Sequence, residues 1–120
     1  MKLSLLRVSS PDLQPEVEGS PSDSRDFDIE IEVMLAPKGH EGRDVSFHFW
    51  CVSPSALMRR PVGAFLPNIL LMEEFSWSEI RRHIDKLLMQ VHSCSSWECV
   101  AVRLSPYMRP FGAVIADSKL

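Results

Sequence analysis

Residues 26–57, DFDIEIEVMLAPKGHEGRDVSFHFWCVSPSAL, decide the fold. Phe27, Ile29, Ile31, Val33 and Leu35 fall at every second position, with Asp28, Glu30 and Glu32 between them. A pleated strand sends alternate side chains to opposite faces, so the apolar set and the acidic set must separate. Sliding the strand by one residue would bury three carboxylates at several kcal/mol each, so its register is strongly specified.

The strand runs into Ala36-Pro37-Lys38-Gly39-His40-Glu41-Gly42. Pro37 fixes φ, and Gly39 and Gly42 can both take positive φ, as a chain reversal longer than two residues requires. Beyond it Val45, Phe47, Phe49 and Cys51 alternate with Asp44, Ser46, His48 and Trp50. This second strand has one apolar face and one amphipathic face, on which Trp50 is the large aromatic.

Working outward, residues 2–8 form a first strand, and residues 10–25, rich in Ser, Pro and acid, form an irregular loop with little reason to order by itself. After Pro54 a short helical turn passes through Ala56, Leu57 and Met58, and residues 61–67 break regularity. The run Asn68-Ile69-Leu70-Leu71-Met72 is continuously apolar and reads as an internal strand. Ser76-Trp77-Ser78-Glu79 and Ser95-Ser96-Trp97-Glu98 each match the reciprocal cap in which Ser accepts from an early backbone N–H and Glu reaches back. Trp77, Ile80, Ile84, Leu87, Leu88 and Val91 make one apolar stripe, with Arg81, Arg82, Asp85 and Lys86 opposite. Trp97, Val100, Ala101 and Leu104 repeat the pattern until Pro106 ends the helix. The expected architecture is α+β, an antiparallel sheet of about four strands with two main helices packed on one face. That leaves the acidic face of the sheet to water or to a partner.

At 120 residues, 45% hydrophobic and 24% charged, the chain is expected to be one domain, residues 1–120, with a core that needs no staple. No apolar run approaches a membrane span, and residues 1–8 lack the apolar length and cleavage site of a secretory signal, so a cytoplasmic location is expected. Cys51, Cys94 and Cys99 are an odd number in no framework spacing, which reads as free thiols in a reducing compartment. Residues 1–50 hold five Lys and Arg against ten Asp and Glu, a balance of −5 within a total of −3. An acidic half argues against nucleic acid, whose phosphates demand cations, and for a basic partner.

Catalytic signatures are weak. The sequence has no G-x-x-x-x-G-K-[ST], no G-x-S-x-G and no Gly-rich phosphate loop. His92, Cys94 and Cys99, or His48 with Cys51, lack the paired spacing of a zinc site, and a Cys–His nucleophile would need a spatial pairing that spacing does not provide. Neither catalysis, metal nor cofactor is expected.

The run DFDIEIEVM, the turn APKGHEG, VSFHFWCVSPSAL, FSWSEIRRHIDKLL and SCSSWECVAVRLSPY together resemble the bacterial immunity protein eight family. The resemblance covers most of residues 26–107 and is carried best by Pro37, Lys38, Gly39, Glu41, Gly42, Cys51, Pro54 and the helix openings around Trp77 and Trp97. It implies an α+β domain that neutralises a cognate polymorphic toxin, a weapon of competition between bacteria, inside the producing cell. On that reading the partner-binding candidates are Asp28, Glu30, Glu32 and Asp44, with Trp50 as aromatic anchor and Glu41 in the turn. The loop at residues 38–43, or Glu73 and Glu74, is the alternative surface. A structural or assembly subunit, forming a homodimer through the edge of the first strand, is the alternative function.

Overall fold

The computed structural model describes residues 2–61, 63 and 68–111. Five strands, β1 (Leu3–Ser9), β2 (Asp28–Pro37), β3 (Val45–Val52), β4 (Ile69–Leu71) and β5 (Arg109–Pro110), form one sheet. Three α-helices, α1 (Pro54–Met58), α2 (Trp77–Met89) and α3 (Trp97–Leu104), complete the α+β architecture. The order is β1-β2-β3-β4, and β5 shares the far edge of β3 with β4. All pairings are antiparallel except that of β3 with β4, which is parallel.

The alternation in β2 and β3 produces the two faces. Ile31, Val33, Leu35, Phe47 and Cys51 are fully buried, and they pack with Ile80, Ile84 and Leu88 of α2 and Trp97, Val100 and Leu104 of α3. Each such side chain contributes about 1.5–3 kcal/mol on leaving water. β1 meets the same core through an irregularity between Leu5 and Arg7. Its extra residue, Leu6, lets Leu5 sit opposite Leu35 and Val8 opposite Val33 on one face although they are three apart in sequence.

Several details differ from the sequence expectation. The apolar run at residues 68–72 is an edge strand rather than an internal one: Leu71 is 54% exposed, and only β3 pairs with it among the described residues. Asn68, at φ 60°, turns the chain into this strand and donates from its side chain to the Ser105 carbonyl, which fixes β4 to the end of α3. The two-residue β5 carries no alternation and gave no signal. Of the two turn glycines, Gly39 takes positive φ, while Gly42 lies in a short 3₁₀ turn, Glu41–Arg43. Of the irregular stretch at 61–67, only positions 61 and 63 lie within the described residues.

The segment after β1 is held by tertiary bonds, which its composition does not reveal. Leu13 is buried in the core, the Asp12 carboxylate accepts from the Glu30 N–H, and the Trp77 indole N–H donates to the Gly19 carbonyl at 2.7 Å. Phe27, Phe75 and Trp77 form a chain of edge-to-face contacts beside it. A Cβ on Gly19 would lie 2.2 Å from the Pro15 carbonyl oxygen, so this position has room for hydrogen only.

The cysteines also differ. Cys94 and Cys99 are joined in a disulfide, with Cα atoms 5.6 Å apart, so the chain has one free thiol, Cys51, and not three. The turn between α2 and α3 folds Cys94 back onto the first turn of α3, an approach that five residues of separation do not disclose. The thiol count therefore carries no information about compartment. No described helix is long and apolar enough to cross a membrane.

Both helix starts use serine caps, but the second is shifted by one residue. Ser76 accepts from the Glu79 N–H as expected; in α3 the cap is Ser96, accepting from the Cys99 N–H, so Glu98 does not occupy the reciprocal position. Ser96→Ala should therefore destabilise the protein by about 1 kcal/mol. Ser95→Ala should change stability by less than about 0.5 kcal/mol. Urea unfolding of the two variants distinguishes them.

Candidate functional site

The face of the sheet away from α2 and α3 is built from the even positions of β2 and β3. Register places Glu30 opposite Trp50, Glu32 opposite His48 and Met34 opposite Ser46. Arg7 and Ser9 of β1 continue the face on one side, and Ile69 of β4 and Arg109 of β5 continue it on the other. The core residues of α2 and α3 pack with the odd positions on the opposite face.

The first carboxylate of the acidic row is answered from within the chain. Arg60, just beyond α1, donates from both Nε and Nη2 to the two Asp28 oxygens at 2.8 and 2.6 Å, and its guanidinium lies 5.7 Å from the centre of the Trp50 ring. A planar fork matched to a carboxylate is the strong form of such a pair, and the aromatic face adds to it. The hydrogen bonds to Asp28 hold the Arg60 pKa above its ordinary value. Arg59 does the same for Asp26, whose carboxyl its guanidinium and the Ser55 hydroxyl hold below the usual carboxylate range.

Ser53 organises this corner. Its buried hydroxyl accepts from the Phe27 N–H and from the Ala56 N–H, capping α1 and tying the helix to the start of β2. The five-residue helix thereby delivers Arg59 and Arg60 onto Asp26 and Asp28.

The middle of the face is aromatic. His48 Nδ1 lies 3.4 Å from a Glu30 oxygen, within ion-pair range, yet this buried nitrogen makes no hydrogen bond. The distance does not supply the alignment a hydrogen bond requires. The Phe111 ring stacks on His48, with centroids 4.5 Å apart, and the Phe111 N–H donates to the Ser46 carbonyl. Trp50, His48, Phe111 and the β4 residues Ile69 and Leu71 thus form an apolar strip along β3, bordered by the carboxylates of β2.

The sequence candidates do not form one patch. Asp28, Glu30, Glu32 and Trp50 lie together on this face, Asp28 exposed and the others half-buried. Glu41 and Asp44 are exposed in the β2–β3 connection, seven residues of strand away from Asp28, or about 24 Å. Glu73 and Glu74 are exposed beyond β4, and Glu74 pairs with Arg25. Sequence reading placed His48 on this face without naming it a binding candidate, and missed Arg60, Phe111 and Ile69. Phe111 and Ile69 are visible as apolar residues, but their placement on this face depends on the pairing of β4 and β5 with β3.

The thiol chemistry resolves differently. Cys51 points into the core, its Sγ 3.3 Å from Met72 Sδ, and burial pushes its pKa up to about 12. His48 points to the other face, so the two do not meet. Cys94 and Cys99 are bonded to each other, and the described residues contain no group of three or more His, Cys, Asp or Glu arranged to hold a metal ion.

The Asp28–Arg60 pair is partly exposed, so its worth is bounded. A double-mutant cycle with Asp28→Ala and Arg60→Ala, read by urea unfolding, should give a coupling of about 1 kcal/mol that falls at high salt.

A search among curated proteins and a search among solved structures return no match. The model of the family described as Immunity protein 8 matches residues 3–109, from the first residue of β1 to the first residue of β5, and takes in all three helices. This chain belongs to the Immunity protein 8 family.

Proposed function

We propose that the chain neutralises a cognate toxin by one-to-one binding through the sheet face opposite α2 and α3, in the cytoplasm of the producing cell. The observation that carries the reading is the strip of Trp50, His48, Phe111 and Ile69 beside the carboxylates of β2, on the face of the ladder opposite the α2 and α3 core. Interfaces draw most of their energy from a few aromatic and arginine side chains in a desolvated centre, with charges at the edge setting partner and rate. Trp50 with Arg60 over its ring supplies such a centre. Asp28, Glu30 and Glu32 supply the flanking charge, while Glu41 and Asp44 at the far end act as a rim. The partner is a basic toxin domain rather than nucleic acid. The mechanism needs neither metal nor cofactor: binding either occludes the toxin's active site or holds the toxin inactive from an adjacent surface.

Co-expression with the toxin domain encoded beside this chain should give survival and a one-to-one complex on co-purification. Survival without a complex would count against stoichiometric binding, and death would count against this partner. A tight homodimer that buries the same face, seen by size exclusion with light scattering, would favour the assembly-subunit reading instead.

Two quantitative outcomes follow from the geometry. Trp50→Ala should weaken the complex by about 2 kcal/mol or more, the scale of a central aromatic, whereas Glu41→Ala at the rim should change it by less than about 1 kcal/mol. With a net charge of −3, association should also slow as salt rises through the physiological range, measured by stopped flow. A rate that is flat with salt would remove charge steering from the mechanism.

A further inference from the structure

The sheet edge beyond β3 is split. β4 pairs with Trp50, Cys51 and Val52, and β5 pairs with Phe47 and His48, so Phe49 stands opposite neither strand. Because β4 runs parallel to β3 and β5 antiparallel, both begin at this gap and lead away from it in opposite directions. On the helix side of the gap lies a cleft of about 330 Å³ between the sheet edge, α2 and the turn after α3. Its floor is apolar: Phe49, Ile84 and Met108 are all buried. Its polar side chains are of one kind. His83, Lys86 and Gln90, spaced by three and four residues along one side of α2, share the rim with Tyr107, and each has a hydrogen to donate. No carboxylate lines the cleft. None of the four makes a side-chain hydrogen bond or ion pair among the described residues, and Glu79, which feels the charges of His83 and Lys86, is itself bonded to Arg82.

We infer that this cleft binds a small monocarboxylate with an apolar body, the body lying on the floor and the carboxylate among the donors at the rim. Sites for small molecules start near roughly 300 Å³ and combine apolar walls with a few convergent polar groups. A dry cavity of roughly 150 Å³ admits benzene, so the cleft takes a body of about twice that size. The sign of the charge follows from the rim. Lys86 brings a positive charge without an ion pair, and His83, Gln90 and Tyr107 add N–H and O–H donors, the set that strengthens a hydrogen bond to a carboxylate. A cationic ligand would meet Lys86 with no acid in the lining to offset it. A bare inorganic anion would leave the apolar floor uncovered. The cleft is on the α2 side of the sheet, so it is distinct from the face proposed for the toxin.

The test titrates 3-phenylpropanoate into the full chain and follows backbone amide and side-chain methyl signals by NMR. The expected result is saturable one-to-one binding with Kd of about 1 mM or tighter, which a ligand of roughly 11 non-hydrogen atoms reaches at ordinary efficiency. The shifts should centre on Ile84, Leu87 and Met108. 3-Phenylpropanamide, equal in size and uncharged, should bind roughly threefold or more weakly, the scale of a partly exposed ion pair with its hydrogen bonds. The double variant His83→Gln, Lys86→Gln should weaken the acid by a similar factor and leave the amide unchanged. The acid-against-amide comparison needs no variant, so it decides the matter even if the double variant fails to fold. Equal binding of acid and amide would overturn the carboxylate assignment. Equal shifts from sodium acetate would reduce the site to an anion on Lys86 and also overturn it. No saturable shift below about 10 mM, or shifts centred on His48 and Trp50 of the other face, would overturn the site itself. No toxin enters the experiment, so each of these failures leaves the immunity reading untouched.

Discussion

Eight residue pairs, from Asp28 opposite Val52 to Leu35 opposite Val45, lock β2 to β3, and the two faces of the protein are defined by which member of each alternating set points where. Odd positions build the core with α2 and α3; even positions build the outer face. The ladder cannot slip, because a one-residue shift would carry Asp28, Glu30 and Glu32 into the helix interface and put Ile29, Ile31 and Val33 in water. β1 adjusts to this ladder through Leu6, and β4 and β5 divide its far edge. The outer face is thus the inverse of the core, fixed by the same parity.

The electrostatics of that surface are set by α1. Ser53 caps the helix and ties it to Phe27, so Arg59 and Arg60 reach the acidic end of β2 and pair with Asp26 and Asp28. What the sequence presents as an acidic row is a set of unlike carboxylates: Asp28 is paired with Arg60, as Asp26 before it is with Arg59, and Glu30 faces His48. For this member of the Immunity protein 8 family, the β2–β3 ladder is the element on which the proposed toxin contact rests.

Other parts of the chain serve to hold this arrangement. The stretch between β1 and β2 is anchored by Leu13, by the Asp12 contact to Glu30 and by Trp77 bonding to Gly19, so an acid- and proline-rich segment is ordered by partners more than fifteen residues away. The Cys94–Cys99 disulfide and the Ser96 cap together fix the entry into α3, which places Trp97 beside Phe47 in the core, with centroids 6.5 Å apart.

The sequence by itself determined the hairpin, its register, both main helices, the α+β class and the family resemblance. These are local periodicities and caps, readable because backbone geometry repeats every 2 or 3.6 residues. It also placed Asp28, Glu30, Glu32 and Trp50 on one face, since alternation alone separates them from the core. Tertiary structure decided the rest: the edge position of β4, the existence of β5, the Cys94–Cys99 bond, the shift of the cap from Ser95 to Ser96, and the pairing of Arg60 with Asp28 across 32 positions of chain. Each of these depends on where distant segments meet. A side chain's identity shows what it can pair with, and only the packed chain shows what lies within its reach.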